Sequence, residues 1–257
     1  MSMSTVSADG RALRIEIRHV PVLRPLTWLQ RGWLDLCRHW TASVGHGALI
    51  LMLGWMLLVL WGTHPYFVAA AISGFLLVGP IMSAGLYEMS RRYSLGQSAN
   101  FDDSLNGFTR NTAGLLGFGI VLAICTALWF AVSAILLGTL FHLPAPDIRA
   151  TLYGFLEMVN RAQIVAYITA GAVLASAVFT VSVVAVPLII DRHASASQGM
   201  RASVHAVLKN IPAMIVWSAL IVILMIIGYL VPLLAGLLVV VPLLGHATWY
   251  AYKDMVG

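Results

Sequence analysis

The sequence predicts an all-α polytopic membrane protein, with six transmembrane helices arranged as three hairpins, each preceded by a cytoplasmic amphipathic helix. Three observations carry this prediction. Charged residues make up only 10% of the 257 residues and apolar residues 60%, with a mean hydropathy of +0.89. A soluble domain carries about 25% charge, so a chain this poor in charge could not cover its surface in water. Six windows without any Asp, Glu, Lys or Arg reach the roughly 20 residues that a bilayer-spanning helix needs. A proline-centred core recurs in alternate windows. Together these exclude a soluble enzyme and a disordered chain. The basic excess of +5 sorts by side of the membrane and does not mark a nucleic-acid binder.

Taken in order, residues 1–24 read as a cytoplasmic tail and 25–257 as a single membrane domain. The first lead-in helix, 26–40, carries an apolar stripe of Leu26, Leu29, Trp33, Leu36, Cys37 and Trp40. Arg31, Asp35 and Arg38 fall at i, i+4 and i+7 on its other side, where they can pair. Trp28, Arg31, Trp33, Arg38 and Trp40 make it an interfacial docking helix for lipid or a partner subunit. Spans one and two, 42–61 and 66–87, are joined by a turn at 62–65. A shorter stripe of Phe101, Leu105 and Phe108 leads into span three, 112–141. Pro144 and Pro146 end that span, and Leu152, Phe155, Leu156 and Val159 predict a short helix lying on the outer surface. Span four, 163–190, is followed by a third stripe of Met200, Val204, Val207 and Leu208. Spans five and six, 211–230 and 232–250, form the last hairpin. Spans three and four exceed the bilayer thickness and must tilt or project. No strand is predicted. Cys37 and Cys125 lie at different depths and predict no disulfide.

Thirteen of the fifteen basic residues fall in the tails and even-to-odd loops, and only Arg149 and Arg161 fall on the other face. The positive-inside rule therefore puts both termini in the cytoplasm. The even spans share Val78-Gly-Pro80-Ile-Met, Ala185-Val-Pro187-Leu-Ile and Val240-Val-Pro242-Leu-Leu. Proline frees a backbone carbonyl, so Pro80, Pro187 and Pro242 predict helix kinks. Each odd span follows a basic-polar pair, Arg38-His39, Arg110-Asn111 or Lys209-Asn210. The pattern is a threefold repeat of lead-in helix plus hairpin. Gly114 with Gly117 and Gly119, Ala134 with Gly138, and Gly171 with Ala175 mark close helix packing within the chain, with a homo-oligomer face as the alternative.

Polar groups inside or at the ends of spans are the candidates for chemistry. His46 lies about 6 Å into span one, and His246 about 9 Å from the cytoplasmic edge of span six. Two histidines without a carboxylate or cysteine make a thin ligand set, so the prediction is that they bond freed carbonyls or headgroups and hold no metal, haem or other cofactor; a metal, haem or proton site is the alternative. Glu88 reads as the ion-pair partner of Arg91 and Arg92, and Asp191 as a solvated cap. Glu88, Asp191 and His246 nonetheless follow the three repeat prolines, so a threefold arrangement could gather them around one cytoplasmic-side pocket. Walker, HExxH, GxSxG and CxxC signatures are absent from the sequence.

The stretches Gly74–Tyr93, Val186–His193, Ser203–Ser218 and Gly236–Gly257, with their GLYE-SRR and GHATW segments, resemble the DUF2189 family of predicted bacterial integral membrane proteins. The resemblance runs over roughly residues 15–257. It implies a bacterial inner-membrane location but brings no biochemical activity, so it assigns no functional residue. The reading is a non-catalytic accessory, assembly or scaffold component. Its partners are the lipid bilayer and another membrane protein or a second copy of the chain. The alternatives are a permease for a small or amphipathic substrate, favoured by kinked repeats, and a haem or metal protein using His46 and His246.

Overall fold

In the computed structural model, residues 2–6, 12–61, 78–138, 161–231 and 235–257 are described. Most of span two, the turn at 62–65, the outer-surface helix after Pro144 and Pro146, and the start of span six lie outside them. Helix dominates. The helices are α1 (Arg24–Arg38), α2 (Trp40–Trp61), α3 (Ala84–Ser94), α4 (Phe101–Thr109), α5 (Thr112–Gly138), α6 (Arg161–Ser182), α7 (Ala185–Arg192), α8 (Ala196–Lys209), α9 (Ile211–Leu230) and α10 (Leu237–Met255). Among the described residues, three stretches are long and apolar enough to cross a membrane: Thr112–Leu136, Val165–Arg192 and Ile211–Leu230.

The expectation of no strands is corrected. Ser2–Val6 (β1) pairs antiparallel with Ala12–Glu16 (β2). Ile17 then bridges to Val256, and the Arg18 N–H donates to the Met255 carbonyl at 2.8 Å. Ile15, Ile17 and Val20 are buried, so part of the expected tail belongs to the packed body. The alternation of Leu13, Ile15 and Ile17 was the available signal, hidden by the run of arginines around it.

The chain forms two compact units, 1–51 with 80–119 and 180–257, and 52–79 with 120–179. In the first, α3, α7 and α10, which carry the C-terminal ends of the three even spans, pack against one another. Around them, α1 packs on α10, α4 on α3 and α8 on α7, so the three lead-in helices lie on the three central ones. A glycine faces an alanine at each contact: Gly32 on Ala247, Gly107 on Ala84 and Gly199 on Ala185. These glycines are not in register with the repeat prolines, which is why the sequence repeat did not reveal them.

The three basic-polar pairs act alike. Arg38 lies over the Tyr93 ring at 4.4 Å, and His39 meets the same ring edge-on. Arg110 donates to the Ile190 carbonyl, and Asn111 to those of Ile189 and Ala194. Lys209 donates to the Ile17 carbonyl, while Asn210 donates to that of Arg18 and accepts from the Val20 N–H at 2.8 Å. The first pair thus holds α3, the second the end of α7, and the third the 17–20 segment bridged to the end of α10. Capping boxes start α4 (Asn100 with Asp103) and α8 (Ser195 with Gln198).

The repeat prolines divide. The backbone turns at Ser83, three residues after Pro80, and at 183–184, before Pro187 in the first turn of α7. Ser203 of α8 spans that second break, donating to the Thr180 carbonyl and accepting from the Val184 N–H. At Pro242 the helix is not interrupted, and α10 runs through it. Gly47 of α2 packs against Pro242 and the Leu238 carbonyl, the group the proline leaves unbonded, so tight packing takes the place of an interruption.

Exposed apolar residues line one side of α9, at Ile211, Ile215, Val222, Ile226 and Leu230, over about 28 Å at 1.5 Å per residue. Its other side buries Ala213, Met214 and Trp217. In the second unit, Ile120, Ile124, Leu128 and Ile135 of α5 are likewise exposed, while Trp129 is buried against Tyr167 and Gly171 of α6. Apolar faces left uncovered over this length suit hydrocarbon.

Candidate functional site

The first unit holds a buried polar network built by α1, α2, α3 and α10. The sequence puts Asp35 on the charged face of α1, opposite the apolar stripe, where it can pair with Arg31 and Arg38. It is instead 1% exposed. It accepts from the Ser90 hydroxyl at 2.7 Å and from the Tyr250 hydroxyl at 2.9 and 3.0 Å. Burial pushes its carboxyl above the usual range, opposed by these hydrogen bonds and the nearby Arg38 charge. Ser90 also meets His246 Nδ1 at 2.8 Å, and His246 Nε2 meets the Ser43 hydroxyl at 2.9 Å.

His46 sits elsewhere in the same unit. Its Nε2 bonds the Met82 carbonyl at 2.8 Å, beside the turn at Ser83. The ring stacks on Phe108 with centroids 6.3 Å apart. Gly85 leaves room for it, because a Cβ there would run into the imidazole. The two histidines therefore share no bond. Among the described residues, no three His, Cys, Asp or Glu side chains stand where they could hold a metal.

Glu88 is fully buried and gathers three arginines. Arg91 holds both carboxylate oxygens at 2.7 and 2.8 Å, Arg92 lies at 3.2 Å and Arg110 at 3.6 Å. Arg92 also pairs with Asp103 at 2.8 Å. Asp191 accepts from the Tyr252 hydroxyl at 2.7 Å and lies 3.5 Å from Lys253. Glu88 and Asp191 both act on Arg91, whereas His246 belongs to the Asp35 network. Of the three residues expected around one pocket, Glu88 and Asp191 thus share Arg91, and His246 bonds Ser90 and Ser43.

The lead-in helix is two-faced. Trp28, grouped with the interfacial residues by sequence, is fully buried; it donates to Asp254 at 2.8 Å and meets Trp217 edge-on at 5.8 Å. Gly32, Asp35 and Leu36 share that inner face. Leu26, Trp33 (49%), Leu34 and Trp40 are exposed. Arg31 lies over the Tyr250 ring and 3.6 Å from Asp254. Hydropathy alone could not select the inner face, because the outer face is the more apolar of the two.

With these apolar helices and their polar joints in place, the comparison with family models is decisive for class. Residues 66–191 match the DUF2189 family. The family is described as a predicted integral membrane protein, of unknown function. The chain matches no curated protein and no solved structure. The DUF2189 segment contains Pro80, Glu88 with all three of its arginines, Ser90, Pro187 and Asp191. Asp35, Ser43, His46 and His246 lie outside it, as do the quoted stretches Ser203–Ser218 and Gly236–Gly257. The Glu88 cluster is therefore internal to the DUF2189 segment, and the His246 network joins that segment to the chain on either side. The protein is an integral membrane protein with apolar helices.

Proposed function

We propose that this DUF2189 protein spans a bacterial inner membrane six times as three hairpins, with both termini in the cytoplasm, and works as a non-catalytic accessory, assembly or scaffold component. The carrying observation is what its buried polar groups do. Glu88 with its arginines, and Asp35 with Ser90, His246 and Ser43, link helices to one another. Such links stiffen a platform. The exposed outer face of α1 supports a docking role at the bilayer surface, where tryptophans sit at headgroup level. Of the described basic residues, all but Arg161 fall in the first unit, which supports a single basic face. Reporter fusions at position 150 and after Gly257 test the topology: an outside signal at the first and an inside signal at the second are expected, and the reverse would refute it. Photocrosslinkers at 33 and 40 should label lipid and a discrete membrane partner; labelling by water-soluble reagents alone would refute docking.

A second reading, a permease for a small or amphipathic substrate, draws on the helix breaks at Ser83 and 183–184. Substrate-driven quenching changes in reconstituted vesicles, lost when Pro187 is replaced by alanine, would favour it.

A further inference from the structure

Five side chains from four helices form one continuous hydrogen-bonded line: Ser43 (α2), His246 (α10), Ser90 (α3), Asp35 (α1) and Tyr250 (α10). The hydrogen positions follow from the acceptors. Ser90 gives its only hydrogen to Asp35, so its oxygen accepts from His246 Nδ1–H. His246 Nε2 is then an acceptor and takes the Ser43 hydroxyl hydrogen. From Ser43 to Asp35 every link points the same way. At the Ser43 end, His39 and His46 flank the serine at i−4 and i+3. His39 Nε2 and His46 Nδ1 are buried ring nitrogens without a hydrogen-bond partner, and His46 is 1% exposed. His39 is half-buried, which gives this end of the line an approach from the surface.

We propose that this line is a proton relay, in which a proton delivered by water at the His39–Ser43–His46 face is passed through Ser43, His246 and Ser90 to Asp35. Ser43 oxygen takes the incoming proton and releases its own to His246 Nε2. The Nδ1 proton moves to Ser90, and the Ser90 proton moves to Asp35. Four bonds to hydrogen form and four break. The added positive charge neutralises the carboxylate, and His246 ends neutral in its other tautomer. Every link then points back toward Ser43. The relay therefore has two polarities, selected by one proton on Asp35. The groups facing Asp35 are Arg38 and His39 of the α1 end, Ser90 of α3, and Tyr250 of α10, which in turn faces Tyr93 and has Arg31 over its ring. Those facing His246 are His39 and His46. Burial holds the Asp35 carboxyl above its ordinary range, which brings its protonation nearer to neutral pH. The relay goes beyond the scaffold reading and does not rest on it.

The test uses the full chain, labelled with ¹⁵N-histidine, in phosphatidylcholine nanodiscs. Solid-state NMR reads the His246 tautomer, assigned by the signal lost in His246→Gln. Infrared difference spectra read protonated Asp35, assigned by the carboxyl band lost in Asp35→Asn. The expected result is Nδ1–H at alkaline pH, converting to Nε2–H in step with the Asp35 band on acidification. In Ser90→Ala the tautomer should no longer follow the carboxyl. A wild-type tautomer that stays fixed while Asp35 protonates overturns the relay, as does a tautomer that still follows Asp35 in Ser90→Ala. Should Ser90→Ala fail to fold, the wild-type titration alone decides.

Discussion

Replacing the glycines of the three lead-in helices by alanine should destabilise the protein in a fixed order. A Cβ on Gly107 would run into the Ala84 carbonyl oxygen, with the carbonyl carbon at 2.8 Å. On Gly32 it would stand 2.7 Å from the Ala247 nitrogen and 2.9 Å from its Cα. On Gly199 the nearest atoms, the Ala185 oxygen and Ile189 Cγ1, lie at 3.1 Å. Backbone cannot swing aside as a side chain can, so at Gly107 and Gly32 whole helices must separate. Overpacking costs about 1–3 kcal/mol, while alanine in mid-helix regains about 0.5–1 kcal/mol over glycine. The net loss should be about 1–2 kcal/mol for Gly107→Ala and Gly32→Ala, and near zero for Gly199→Ala. Gly79, where a Cβ meets nothing within 4 Å, is the control. Thermal unfolding in detergent would read the order, at about 2–4 °C per kcal/mol for a chain of this size. If Gly107→Ala and Gly32→Ala melt at or above the wild-type temperature, the close approach of α4 to α3 and of α1 to α10 is wrong.

Glu88→Ala leaves three arginines around a buried gap and should cost about 3–5 kcal/mol, read by denaturant titration of the purified protein; a loss under about 1 kcal/mol would mean that the arginines find water. Trp28→Ala should cost about 3–5 kcal/mol, whereas Trp33→Ala should leave the melting temperature in detergent nearly unchanged. Asp35 sets a pH dependence. Its folded carboxyl holds a proton more tightly than the unfolded chain does, so its contribution to stability is fully present below the ordinary aspartate pKa of about 3.9 and is lost as pH rises through the raised folded value. Acidification from neutral pH should therefore stabilise wild type relative to Asp35→Asn, and parallel melting curves against pH would contradict this. A spin label on Cys37, which is free and on the exposed side of α1, should be relaxed more by oxygen than by a water-soluble nickel chelate in a Cys125→Ser background; the opposite ranking would remove α1 from the interface.

What the sequence by itself determined is the solvent and the recurring parts. Windows without charge, the proline cores and the three basic-polar pairs are local patterns, and hydrocarbon demands the first of them whatever the helices touch. That the pairs are anchors, at Tyr93, at Ile189 and Ile190, and at Ile17 and Arg18, is a finding of the structure. Tertiary structure alone decided which face of α1 turns inward and what the isolated polar residues meet. Periodicity groups Leu26, Trp33 and Trp40 on one side, and the ordinary rule for water-soluble proteins buries the more apolar side. Here the protein keeps Trp28, Gly32 and Asp35 inside, because the close helix approach at Gly32 and the hydrogen bonds of Trp28 and Asp35 matter more than hydropathy. Asp35 meets Ser90 and Tyr250 across sequence separations of 55 and 215 residues. No local pattern encodes such a meeting; it exists only once α1, α3 and α10 have packed.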